Sequence, residues 1–238
     1  MILIALPSFG QVSDPASYQA YIQANDSLWA SVVAAKQSAF NKNTNDPALR
    51  WDLALAQYGL LNATMRTHDE DRFDQYYEKA EDHLKTLGKD GKYKADAKAL
   101  LGGLYGLKLS YSSMMGMVLG PRSSGLIEDA IELDPKSPIV WRVEANSKMY
   151  TPSMFGGNID EAVQAFERSI ALFEEQPATL DNNWIYLDAL VFAGQAYTKQ
   201  GQTAKAIAVY EKVLKIEPNH SWVKRDLLPK ARQKASGK

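Results

Sequence analysis

Arg142 and Asn146 stand four residues apart, and the same spacing recurs in Tyr58 and Asn62, in Lys108 and Ser112, and in Val191 and Gln195. An i, i+4 spacing puts both side chains on one face of a helix. Lys and Arg bind carboxylates, and Asn, Gln and Ser donate and accept hydrogen bonds, so amides in a column can hold an extended peptide backbone. This is recognition chemistry: it positions a partner and transfers nothing. A solvated helix face would also be polar at such positions.

Catalytic and metal chemistry find less support. The chain has three histidines and no cysteine, which removes thiolate catalysis, disulfides and Cys-ligated zinc. His68-Asp69-Glu70-Asp71 resembles a metal cluster, but acids at the start of a helix interact favourably with its dipole and its orphan N–H groups. His83 falls too far along the same helix to join His68, and His220 reads as a turn or cap residue after Pro218. No serine sits in a Gly-x-Ser-x-Gly elbow. Gly102-Gly103 lies inside a helical pattern, where it allows close helix approach, and Gly156-Gly157 lacks the Lys-Ser or Lys-Thr of a phosphate loop. The sequence therefore predicts no enzyme, no metal site and no cofactor.

Composition narrows the partner. The 238 residues are 45% hydrophobic and 23% charged, with a net charge of −1 and a pI of about 6.3. That balance argues against general nucleic-acid binding, and no apolar run is long enough to predict a transmembrane segment. Met1–Leu6 is a short apolar run followed by Pro7-Ser8-Phe9-Gly10, which reads as the remnant of a bacterial secretory signal peptide over residues 1–10. The expected location is the periplasm or the medium. Lys224, Arg225, Lys230, Arg232, Lys234 and Lys238, against Asp226 alone, make a basic C-terminal end. Its plainer reading is a solvated face; its sharper one is a weak contact with anionic lipid headgroups.

The polar column needs helices to present it. Leu187 to His220 spans 34 residues, with Gly194, Tyr197, Gly201, Ala206, Tyr210 and Pro218 at unit positions 8, 11, 15, 20, 24 and 32. This pattern resembles a tetratricopeptide repeat, a helix pair that buries its apolar face only by stacking on neighbours. Weaker copies begin near residues 54, 104 and 138, so that Tyr77, Ile127, Phe166 and Tyr210 share position 24. In this frame position 5 reads Tyr58, Lys108, Arg142 and Val191, and position 9 reads Asn62, Ser112, Asn146 and Gln195. A long helix is predicted from Tyr93 to Val118, ended by Gly120-Pro121, and then a shorter one from Ser123 to Glu132.

The resemblance implies an all-α, right-handed superhelix of helix pairs over residues 48–220. Residues 11–47 form N-terminal capping helices, and residues 221–238 form a C-terminal cap helix and basic tail. The A helices would line a concave groove, with Tyr58, Asn62, Lys108, Ser112, Arg142, Asn146 and Gln195 facing a protein or peptide partner. Arg142 would bind a carboxylate, and its loss would leave stability unchanged. Arg142 and Asn146 match in type the first pair of the family's carboxylate clamp, but Asp188 and Phe192 stand where its next cations would be, so the full clamp is absent. The Tyr150–Asn158 turn, with its Phe-Gly-Gly, is similar to exported bacterial members that accompany solute transporters. That likeness implies a second reading, an accessory subunit of a periplasmic uptake system holding a small anionic ligand. Phe155 is expected to anchor this turn, with positive φ at Gly156 or Gly157, and Phe166 and Tyr210 to be buried.

Overall fold

In the computed structural model, which describes residues 14–237, every regular element is helical. The helices are α1 (Pro15–Ile22), α2 (Asp26–Lys42), α3 (Pro47–Thr67), α4 (Glu70–Leu87), α5 (Lys94–Tyr111), α6 (Gly116–Leu133), α7 (Pro138–Tyr150), α8 (Ile159–Glu174), α9 (Trp184–Lys199), α10 (Thr203–Ile216) and α11 (Leu228–Ala235). Local chemistry sets their starts. Asp14 and Asp46 cap α1 and α3 ahead of Pro15 and Pro47, and Asn158 and Asn183 cap α8 and α9. Asp69 accepts from Arg72 N at 3.0 Å, so the acidic segment after His68 does open a helix. The proposed signal remnant lies outside the described residues.

Four helix pairs stack in sequence: α3/α4, α5/α6, α7/α8 and α9/α10. The first helix of each pair packs on the first helix of the next, α3 on α5, α5 on α7 and α7 on α9, forming an inner layer. Phe166 and Tyr210 are buried between helices, and Tyr210 lies against Gly194, where a Cβ would come within 2.3 Å of its ring.

One connection departs from expectation. The helix begun at Lys94 ends at Tyr111, not Val118, and a 3-10 turn over Ser113–Met115 leads into α6. Ser112-Ser113 favours this break because serine hydroxyls compete with helical backbone bonds. Pro121 does not end a helix but sits in the second turn of α6. The carbonyl left without its N–H belongs to Met117, whose exposed surroundings let water replace the bond.

The N-terminal helices reach further than a cap on the first pair. α1 touches α3 and α9, the first and last inner helices. Trp29 of α2 packs its ring against Gly59 of α3 and edge-on against Trp184 of α9, with centroids 5.3 Å apart. Ser221 Oγ donates to Ile22 O at 3.0 Å, and Tyr18 Oη to Glu217 at 3.3 Å. The α1–α2 hairpin thus fills the inner space between the two ends of the stack.

Candidate functional site

The candidate residues divide into three groups. Arg142 and Tyr58 belong to a buried polar chain. Arg142 is 1% exposed; its Nε donates to Asp188 Oδ2 at 2.7 Å, its Nη2 approaches the same oxygen, and its Nη1 donates to Tyr58 Oη at 3.3 Å. The Tyr21 hydroxyl of α1 is buried beside Asp188. Burial disfavours the Arg142 cation, but Asp188 and Tyr58 outweigh it and hold its pKa above the ordinary range. Burial raises the Asp188 carboxyl, against the pull of Arg142. The expectation that Arg142 faces a solvated groove is therefore corrected: its charge is already matched inside the fold. The Asp188 that removed the family's clamp from α9 is the group that occupies Arg142.

Lys108 and Ser112 form the second group, and both lie off the inner column. Lys108 Nζ bonds Asp74 of α4 at 2.7 Å and stands over the Phe73 and Tyr77 rings at 5.5 and 5.3 Å. Ser112 is the C-cap of α5. The cause is register. In the last pair Gly194 meets Tyr210, sixteen residues on; in the second pair Gly102 meets Ile127, twenty-five residues on. Nine extra residues separate the crossing points, taken up by longer helix ends and the turn at Ser113–Met115. The equivalent of Gly194 is thus Gly102, and the residue after it, Gly103, takes the inner place against the Tyr58 hydroxyl.

Asn62, Asn146 and Gln195 remain on the inner helices. Asn62 turns back, its Nδ2 donating to Tyr58 O at 2.8 Å. Asn146 Oδ1 and Gln195 Nε2 are different: each is buried within a half-buried residue and has no hydrogen-bond partner. They lie on α7 and α9, which pack on each other along a seam. At the bottom of this seam lies the Arg142–Asp188 pair, one turn before Asn146 on α7. At its rim, one turn beyond Asn146, Tyr150 meets the Phe192 ring edge-on at 6.3 Å and carries Lys199 Nζ over its face at 4.6 Å. A buried orphan acceptor and a buried orphan donor are costly unless something supplies their bonds. An extended peptide offers one N–H and one C=O per residue. Lys199 makes no ion pair among the described residues and can take an anionic group at the rim.

Sequence reasoning missed Tyr150, Phe192 and Lys199 as rim residues. Their signal was available as the i+4 successors of Asn146 and Gln195 and the i−3 predecessor of Gln195. Gly156 does have positive φ, at 94°, and Gly157 is needed because a Cβ would lie 1.7 Å from Thr151 O. Phe155, however, does not anchor the turn: it is 70% exposed, and backbone bonds such as Asn158 N to Lys148 O at 2.9 Å hold the loop. Among the described residues no group of three His, Asp or Glu is placed to hold a metal, and no helix is long and apolar enough to cross a membrane.

The tetratricopeptide repeat family model matches residues 187–220, the α9/α10 pair. This pair is a tetratricopeptide repeat. The rest of the stack shares the architecture of such proteins. TTC0263, a tetratricopeptide repeat protein of Thermus thermophilus, superposes with a TM-score of 0.57 at 17% identity, over 94% of this chain and 96% of that one. The HusA haemophore from Porphyromonas gingivalis superposes with a TM-score of 0.62 at 20% identity, over 78% of this chain and 91% of that one. At these identities the likeness is one of fold. No curated protein matches the sequence.

Proposed function

We propose that this protein is a non-catalytic scaffold that holds an extended protein or peptide segment in the α7/α9 seam. The observation that carries this reading is the pair of buried, unpartnered amide ends, Asn146 Oδ1 and Gln195 Nε2. On local opening of the seam the partner's backbone would satisfy both, Tyr150 and Phe192 would pack its side chains, and Lys199 would meet an acidic group. The general binding role of repeat stacks supports this, as does the absence of any catalytic motif in the sequence. A small-solute carrier, the role suggested by the haemophore HusA, would hold its ligand in a closed chamber. Two openings among the described residues bear on this. One is an open furrow of about 390 Å³ between α5 and α6; the other, a crevice between Asp14, Lys36 and Asp52, holds about 10 Å³, room for one water. The furrow is too open to be a closed chamber, and the crevice is too small for a solute.

The test is selection of binding peptides from a random library, followed by titration calorimetry with Asn146→Leu and Gln195→Leu. Each change removes hydrogen bonds that only the complex satisfies, so affinity should fall about tenfold while the unfolding midpoint holds or rises. Selected peptides that bind both variants as well as the native protein would refute the seam as the site. We further propose export to the periplasm or medium. Expressed from its natural gene in its host, the protein should be recovered beginning near Gln11; an uncleaved cytoplasmic product would contradict this.

A further inference from the structure

The connections inside the second and third pairs carry the same short pattern, Ser113-Met114-Met115-Gly116 and Ser153-Met154-Phe155-Gly156. Each folds as one 3-10 turn, Ser113–Met115 and Ser153–Phe155. Met114 is 94% exposed, Met117 93%, Met154 80% and Phe155 70%. One exposed apolar side chain is ordinary, but three on corresponding turns of adjacent units, with Met117 at the start of α6 beside them, form a feature. No charged residue occurs from Tyr111 to Pro121 or from Met149 to Ile159. In the next unit the equivalent turn is cationic. Lys199 stands over Tyr150, and Lys234 of α11 reaches Thr198 O at 3.2 Å, which brings the basic C-terminal helix to the same edge. Glu161 pairs with Lys148 at 2.6 Å, and Asp160 accepts from the neutral Gln200 at 2.6 Å, while the equivalent turn of the first unit is acidic, with Glu70 and Asp71 in the first turn of α4.

We propose that this edge is a membrane-contacting surface, in which Met114, Met117, Met154 and Phe155 enter the boundary between headgroups and acyl chains while Lys199 and Lys234 meet anionic headgroups. The shape favours lipid over a protein partner. The apolar side chains stand exposed at turns, where a folded partner would need matching pockets but a fluid bilayer conforms around them. Tyr150, half-apolar and tipped with a hydroxyl, suits the interface between them and the cations. Lysines near an anionic surface add attraction that salt screens. The surface shares Tyr150 and Lys199 with the rim of the amide seam, but the four serine changes touch neither residue nor the amides, so their outcome tests the membrane assignment apart from the seam.

Co-sedimentation with vesicles tests it, comparing phosphatidylcholine alone with a mixture of phosphatidylcholine and phosphatidylglycerol. The native protein should bind the mixed vesicles, and less so as salt rises. A variant with Met114→Ser, Met117→Ser, Met154→Ser and Phe155→Ser should bind at least about tenfold more weakly with an unchanged unfolding midpoint, because the side chains are exposed. Lys199→Glu with Lys234→Glu should abolish the preference for phosphatidylglycerol. Met114→Ser with Met154→Ser gives the same reading with less perturbation. Failure of the native protein to sediment with either vesicle would overturn the proposal, as would equal binding by the serine variants. A native dimer in sedimentation velocity that the serine changes dissolve would reassign the edge to contact between copies.

Discussion

Arg142 shows most clearly how a side chain's partners decide its role. Removing it leaves the Asp188 carboxylate buried without a counter-charge and the Tyr58 hydroxyl without its donor. Breaking a buried pair on one side costs about 3–5 kcal/mol, whereas replacing both partners with apolar groups of similar size is often neutral. Arg142→Ala should therefore lower the stability measured by urea unfolding by about that much. Arg142→Met combined with Asp188→Leu should recover most of the loss. A single variant as stable as the native protein would mean that the pair is solvated after all. The sequence displayed the arginine in helical register with Asn146. It could not display the burial, because Asp188 lies 46 residues away and the space above both is filled by Tyr21 of α1.

At the scale of elements, polar links fix one helix to the next. Asp96, in the first turn of α5, bonds the Ser137 hydroxyl that also caps α7 by accepting from Val140 N. Burial pushes the Asp96 carboxyl up to about 7, against the pull of Ser137. An acid whose native pKa lies above its unfolded value contributes stability that is complete below the unfolded pKa and is lost as pH rises through the native one. The Asp96 contribution thus declines between about pH 4 and pH 7. His220 works the other way: burial lowers it to about 4, so its contribution is present above its unfolded pKa and lost as pH falls toward 4. The two overlap, so the clean measurement is a difference. Asp96→Asn should gain stability relative to the native protein as pH is raised from 4 to 8, with a plateau above about 7. A pH-independent difference would show that Asp96 ionises as freely as in the unfolded chain. Element starts of this kind were legible, since Asp14-Pro15 and Asp46-Pro47 announce caps locally. The second pair was not. Its Gly102 contact was hidden by nine extra residues before Ile127, which moved Lys108 and Ser112 out of the column they were assigned to.

At the scale of the molecule, the fold was legible from one unit. Gly194 and Tyr210 fix a close helix crossing that has no stable use outside a stack, and the stack follows. The groove was not legible, because the α1–α2 hairpin closes it through contacts between residues that are distant in sequence, Trp29 with Trp184 and Ser221 with Ile22. The α7/α9 seam carries two buried amide ends above the Arg142–Asp188 pair and an aromatic rim around Lys199. The most direct measurement is a nuclear magnetic resonance titration of nitrogen-15-labelled protein with a selected peptide, following the side-chain amide signals of Asn146 and Gln195. Both should shift as the peptide saturates, with the backbone signals of Tyr150, Phe192 and Lys199 moving alongside. Saturation that leaves those two amides unmoved while shifts cluster elsewhere would contradict the assignment of the seam as the binding site.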